Sequence, residues 1–447
     1  MPHAKEQRAG PTQKIGACPR FPCPRFPRRP IISYLTFNPP RTLHETRNRM
    51  TKPQRKRQKY NLEEFKLIGF SMENKAEGEG KVQVLTRAAL TSDASDFHTC
   101  IRAFANEIDG KLRAQGHAFH LSQSNGFALV VESDHTAVLY VDPVVHLDVI
   151  AKRAVGAGEA VFTSDIGDIR RGTLPSLKLK PEHRVVICLR LGWKFLMMFD
   201  LTPDAKLDVA SIEGTMAVGM RRLMFEQLYH SMDDDQSLSK MISKGWFPFN
   251  ELIGGEYDEL QKAVSADFNL DAVEAKLVAS YDADRMHRLT EKWWRHSQFE
   301  KRQAVLSEGV ALYNEGRHIP SLKTLMSEIE GILREGHLPR AEGRQGIDKV
   351  LAVAFESVLQ TAGEDTMYFP TQFVDYLRKS IFAPFDPAQP ADEATRNTLA
   401  HGRASVRAYT AVRALQTILV LDQIYRFLTV PTQPDQPISR PRRPRRG

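Results

Sequence analysis

The chain has 447 residues, 26% of them charged, with a formal net charge of +8 and a pI near 9.2. At roughly 100 to 200 residues per domain this length sets two or three folded units and excludes a small disulfide-stapled scaffold. The basicity is uneven, because residues 1–59 hold 15 Lys and Arg against 2 acids and residues 431–447 hold 5 against 1, which leaves 60–430 at −9. The high pI therefore describes the termini, and the acidic remainder counts against strong sequence-independent binding of nucleic acid by the folded part.

The terminal stretches also carry 15 of the 26 prolines, as in "CPRFPCPRFPRRP" and "RPRRPRRG". Such segments bury too little apolar surface to offset the entropy of ordering, so 1–71 and 431–447 are expected to be disordered. The prolines argue against an amphipathic transit peptide, and the expected start of the translated chain is Met50 or Met72. Of four cysteines, Cys18 and Cys23 lie in the N-terminal stretch and Cys100 and Cys188 are far apart, so neither a disulfide framework nor paired metal-ligand spacing is present. With no apolar run near 20 residues, the expectation is a reduced, cytoplasmic protein without a membrane span.

Phe97, Ile101, Phe104, Ile108 and Leu112 recur at helical spacing. After Gly116, "GFALVVE" and "TAVLYVD" read as hairpin strands around Ser133-Asp134-His135, and "RVVICLRL" and "KFLMMFDL" as a second pair joined through Gly192. These runs are apolar on both faces and predict a sheet covered by helices. Beyond Leu207 helical periodicity takes over, with "SIEGTMAVGMRRLMFEQLYHSM" its most continuous run, followed by the punctuated "SKGWFPFNELIGGEYDEL".

A mixed α/β domain over 72–299, of unknown ligand, is thus expected to give way near residue 300 to an all-α antiparallel bundle over 300–430, an α+β organisation overall. The bundle reads as "AVLSEGVALYNEGR" ending at Gly316, "IPSLKTLMSEIEGILREG" with Pro320 in its first turn, "GIDKVLAVAFESVLQTAG", "TQFVDYLRKSIF", and a last helix from about Ala404 to Leu428. Three other signals are set aside. "VGAGEA" at 155–160 lacks the third glycine of a dinucleotide loop, His117 and His120 fall on opposite faces of an ideal strand, and Trp293-Trp294 reads as packing rather than base stacking.

Between "APFDPAQP" and the last helix stands "DEATRNTLAHG", residues 392–402. On an ideal helix Asn397 and His401 share a face, about 40° apart, whereas Arg396 and His401 are separated by about 140°. They converge only if the helix distorts at its end, if the arginine reaches around, or if a second subunit completes the site. Arginine, a polar residue, three more residues and a histidine, placed ahead of the last helix of a small bundle, resemble the motif of HEPN domains. The resemblance covers roughly 300–430, including "YNEGRHIPSLKTLMSEIEGILREG".

That resemblance implies a metal-independent endoribonuclease of the prokaryotic defence or toxin-antitoxin type, working as a homodimer, with no cofactor and with an antitoxin protein as an implied partner. RNA cleavage without a metal needs a base, an acid and positive charge at the phosphate. Histidine titrates near neutrality, so His401 is the expected acid or base, with Arg396 at the phosphate oxygens and Asn397 orienting imidazole or substrate. Glu330 is expected as the partner of Arg396, and Arg403, Arg407 and Arg413 as a local patch guiding RNA. The competing expectation is a non-catalytic dimerisation or interaction protein in which the Arg396/His401 pair is structural.

Overall fold

A computed structural model describes residues 34–36, 58–65, 73–78, 81–156, 158–202, 206–337, 346–362, 365–386, 388 and 391–429. The fold is α+β, antiparallel sheet in the N-terminal half and helices in the C-terminal half. In chain order the first half runs β1 (Tyr34–Thr36), β2 (Lys59–Leu62), β3 (Glu73–Gly78), β4 (Lys81–Leu85), β5 (Arg87–Thr91), α1 (Phe97–Ala114), β6 (Gly126–Val131) and β7 (Ala137–Val141). It continues with β8 (His146–Ala151), β9 (Ile166–Thr173), β10 (Arg184–Leu191) and β11 (Lys194–Asp200).

The central sheet is antiparallel with the order β2-β7-β6-β10-β11-β5, and two smaller sheets are β1-β8-β9 and β3-β4. Both expected hairpins form. His135 turns the first at φ 67° and Gly192 the second at φ 63°, the left-handed region that only glycine enters without steric cost. β6 is buried along its whole length, as expected for a covered sheet. Phe127, Leu129 and Val131 pack with Val186, Cys188 and Phe199 under α1, while Ala128 and Val130 pack with Val185, Ile187 and Met198 on the opposite face. Along α1 the buried face runs Phe97, Cys100, Phe104, Ile108 and Leu112, so Cys100 takes the place expected of Ile101.

The assignment of 1–71 to disorder needs correction where residues are described, since β1 pairs with β8 and β2 with β7. Leu62 and Phe65 are buried, and this pairing with a distant strand overrides the local composition. The remainder of that stretch, and 431–447, lie outside the described residues.

The second half begins with α2 (Val209–Met224), whose N-terminus Asp208 caps by accepting from the N–H groups of Ala210 and Ser211. α2 covers the second face of the sheet through Ile212, Met216 and Met220. The long helical run breaks at Phe225, giving α3 (Glu226–Asp233), and then come α4 (Asp235–Ser243), α5 (Gly255–Ser265), α6 (Asp271–Ser280), α7 (Ala283–Thr290) and α8 (Ser297–Glu300). α9 (Gln303–Asn314), α10 (His318–His337), α11 (Ile347–Ala362), α12 (Pro370–Tyr376), α13 (Arg396–Ala400) and α14 (Ala411–Thr429) complete it.

Residue 300 marks no break in the core. One cluster of buried side chains runs from Leu228 to Phe427, and Trp246, Phe247 and Phe249 of the glycine- and proline-punctuated stretch lie inside it. The reason is α14, which is buried on every side from Ala414 to Phe427 and so needs helices from both sides of residue 300 to cover it. Its polar residues are accordingly paired. Asp422 accepts from Arg426 Nε (2.9 Å), Lys292 Nζ (2.9 Å) and Trp293 Nε1 (3.0 Å), and Glu251 takes the other arm of Arg426 at 3.0 Å. Burial alone would push the Asp422 carboxyl up, but Arg426 and Lys292 outweigh it and hold the group below the usual carboxylate range.

Two further links join the halves. Asp168 of β9 meets Arg221 Nε at 2.8 Å and Thr366 Oγ1 at 2.7 Å, and Asn250 Nδ2 donates to the Gly167 carbonyl at 2.6 Å. Among the described residues no helix is long and apolar enough to cross a membrane.

Candidate functional site

The "RNTLAHG" segment forms a helix of only five residues, because its start and stop signals lie so close together. Thr395 is the N-cap, its hydroxyl accepting from the Thr398 N–H while the Thr398 hydroxyl accepts from the Thr395 N–H. Gly402 stops the helix at φ 63°, and His401 occupies the C-cap. The flanks then close on each other: Ala391 donates to the Arg403 carbonyl at 3.1 Å and accepts from Ser405 N at 2.8 Å, making a parallel bridge with Ala404. α13 is thus a short turn held inside a lasso, and α14 starts at Ala411, seven residues later than the periodicity indicated. A short 3-10 turn, Val406–Ala408, fills part of the gap.

Arg396 is half-buried, and its Nη2 lies 2.6 Å from Glu330 Oε2 on α10. Glu330 also takes Arg334 at 2.7 Å, so one carboxylate is clasped by two guanidinium groups. Asn397 does not turn toward the imidazole. Its Nδ2 donates to the Phe382 and Ala383 carbonyls, both at 3.1 Å, and its Oδ1 accepts from Arg396 at 3.3 Å. His401 is exposed, with Phe385 at 5.4 Å between ring centroids, and no hydrogen bond or ion pair joins it to Arg396 within the described residues. Neither the helix end nor the reach of the arginine brings the pair together within one chain, because the Arg396 guanidinium is turned to Glu330.

The three arginines expected to guide RNA differ. Arg407 is exposed, whereas Arg403 is half-buried with a Nε that finds no hydrogen-bond partner. Arg413 is consumed by structure: it donates to the Ala394 carbonyl (2.8 Å), the Ser380 carbonyl (2.8 Å), Ser380 Oγ (3.0 Å) and Gln416 Oε1 (3.1 Å). Beside this lasso opens a cleft of about 430 Å³, walled by Asp392 to Ala394, by Arg407 and Ala408, by Lys244 at the end of α4 and by Lys379. Sequence reading did not find it, since its residues lie in four separate stretches.

Elsewhere, Asp93, Glu226 and His230 bring one potential ligand atom each to within 4.8 Å of one another. Glu226 and His230 are four apart on α3, a visible spacing, but Asp93 joins them only through the fold. Lys194 already donates to Glu226, and His230 Nε2 lies 3.5 Å from Asp93. The signals set aside stay structural. Trp293 is buried against Asp422, His117 meets Tyr60 edge-on, His120 faces Asp109, and Glu159 accepts from Gly156 N.

Comparison with protein-family models, curated proteins and solved structures gave no match to this chain.

Proposed function

We propose that the helical half is a HEPN-like endoribonuclease, acting as a homodimer through Arg396 and His401. The Arg396–Glu330 pair carries the reading: a carboxylate on α10 fixes a guanidinium that keeps part of its surface open, five residues before an exposed imidazole. A guanidinium held by its own side of the fold meets a phosphate at lower entropic cost than a free one.

In the reaction His401 takes the proton of the ribose 2′-OH as its oxygen attacks phosphorus, and the bond to the 5′-oxygen breaks as that oxygen acquires a proton. The products are a 2′,3′-cyclic phosphate and a 5′-OH, with Arg396 carrying the charge that builds on the phosphoryl oxygens. Two copies facing each other would supply two imidazoles, one as base and one as acid. This scheme fits a toxin or defence protein with an antitoxin partner.

The test compares wild type, His401→Ala and Arg396→Ala under tight induction, following growth and the 5′ ends of cellular RNA at matched amounts of folded protein. New RNA ends in wild type that vanish in both variants support the reading. Identical behaviour of all three folded proteins overturns it. One observation favours the alternative, a non-catalytic interaction protein: the Asn397 amide is spent on two loop carbonyls, so part of the motif is accounted for by structure. That reading expects self-association without RNA decay.

A further inference from the structure

We propose that the cleft beside the lasso seats a phosphodiester of single-stranded RNA next to the bond that His401 and Arg396 cut, an inference that rests on the ribonuclease reading. The floor of the cleft is polar and prearranged. Gln416 and Ser380 are 3% and 6% exposed, and both are fixed by Arg413, which has no carboxylate partner among the described residues. A π-helical turn over Leu377–Ile381 leaves the Ser380 carbonyl to accept from Arg413, and it places Ser380 and Lys379 along the cleft. Gly245 turns at φ 76°, and a Cβ there would meet Gln416 at 2.7 Å, so this wall is built to close tolerance.

Around the polar floor stand Lys244, Lys379 and Arg407, all exposed and without an ion-pair partner among the described residues. Four cationic side chains therefore line the cleft against two acids, Asp392 and Glu393. The floor is already paired, since Gln416 also donates to the Lys244 carbonyl at 3.3 Å, so the open valence of the cleft is its cationic rim, which an anion rich in acceptor oxygens satisfies. The volume suits about one nucleotide, and the exposed rim cations Lys379 and Arg407 are the phosphate contacts. Asp392 to Ala394 precede the N-cap of α13 and Arg407 follows its C-terminus, so the two flanks of the Arg396/His401 element form part of the cleft wall.

The experiment uses the full chain carrying His401→Ala, a short RNA oligomer containing 4-thiouridine, and photocrosslinks mapped by mass spectrometry. This separates the cleft from the basic termini, which bind any polyanion. Crosslinks are expected within residues 239–245, 379–394 or 407–416, and to fall at least about fivefold in Lys379→Glu/Arg407→Glu but not in Lys276→Glu, an exposed reversal on α6. In the chain with His401 intact, the double reversal is expected to raise KM for RNA about tenfold with kcat unchanged.

Crosslinks confined to the termini, or unchanged by the double reversal, overturn the proposal even if wild type cleaves RNA. Cleft crosslinks in a chain whose wild type never cleaves leave the RNA seat standing and remove the ribonuclease reading instead.

Discussion

Two charged clusters, one on the last helix and one on its approach, differ in a single respect, access to water. Around Asp422, the buried carboxylate, Arg426 and Trp293 are joined by the half-buried Lys292 and Glu251 in a closed set, tying the stretch before residue 300 to α14. Around Glu330, Arg334 and Arg396 form a similar clasp at the surface, with the exposed His401 five residues beyond. In the first, every charge is spent on holding the fold. In the second, a cation is positioned but not enclosed, and this is the arrangement that chemistry on an external phosphate needs.

The contrast breaks most sharply at Asp422. Replacing it by Ala leaves Arg426 and Lys292 buried with less compensation, and a loss of about 3–5 kcal/mol is expected from urea unfolding. A core substitution without charge sets the next scale. A Cβ at Gly309 would stand 2.5 Å from Leu325 Cδ2 across the α9/α10 contact, so Gly309→Ala is expected to cost roughly 1–3 kcal/mol by the same measurement.

At the edge of the buried set, burial pushes Lys152 down to about 8 from its ordinary 10.5, the nearby Glu251 opposing this. The unfolded chain then holds the extra proton between about pH 8 and 10.5, so the stability of wild type relative to Lys152→Met is expected to rise through that window and to be flat below it. A flat difference up to pH 10 would remove the burial argument. Glu330→Gln, by contrast, is expected to cost only about 0–1 kcal/mol, as partly exposed pairs do, while lowering kcat for RNA through a looser Arg396. Last, His401→Ala is expected to change stability by no more than about 0.5 kcal/mol and yet to abolish cleavage, the widest separation between stability and activity.

Much of this was legible in the residues. The two hairpins, the helix through Phe104, and the helices bounded by Gly316 and Pro320 follow from period and punctuation, which act over a few residues. Glu330, the acid of the second bundle helix placed nearest the motif, does pair with Arg396, although only the packing of α10 against α13 brings them together. What failed did so for long-range reasons: the strand through Leu62 sits in a charged stretch and forms only because β7 offers an edge, and the boundary near residue 300 dissolves because α14 needs cover on both sides. Asn397 is expected to orient the imidazole or the substrate, but the Phe382 and Ala383 carbonyls draw its amide to the loop.

The sequence by itself determined the two hairpins of a sheet covered on both faces, the helix stop at Gly402, and the presence of an arginine and a histidine just before it, because turns, stops and periodicity are local properties of the chain. The tertiary structure alone decided that one cluster of charges is sealed and the other open, and that Lys244, Lys379 and Arg407 meet around one cleft. Burial and convergence depend on which distant segments pack together, and no window of neighbouring residues contains that information.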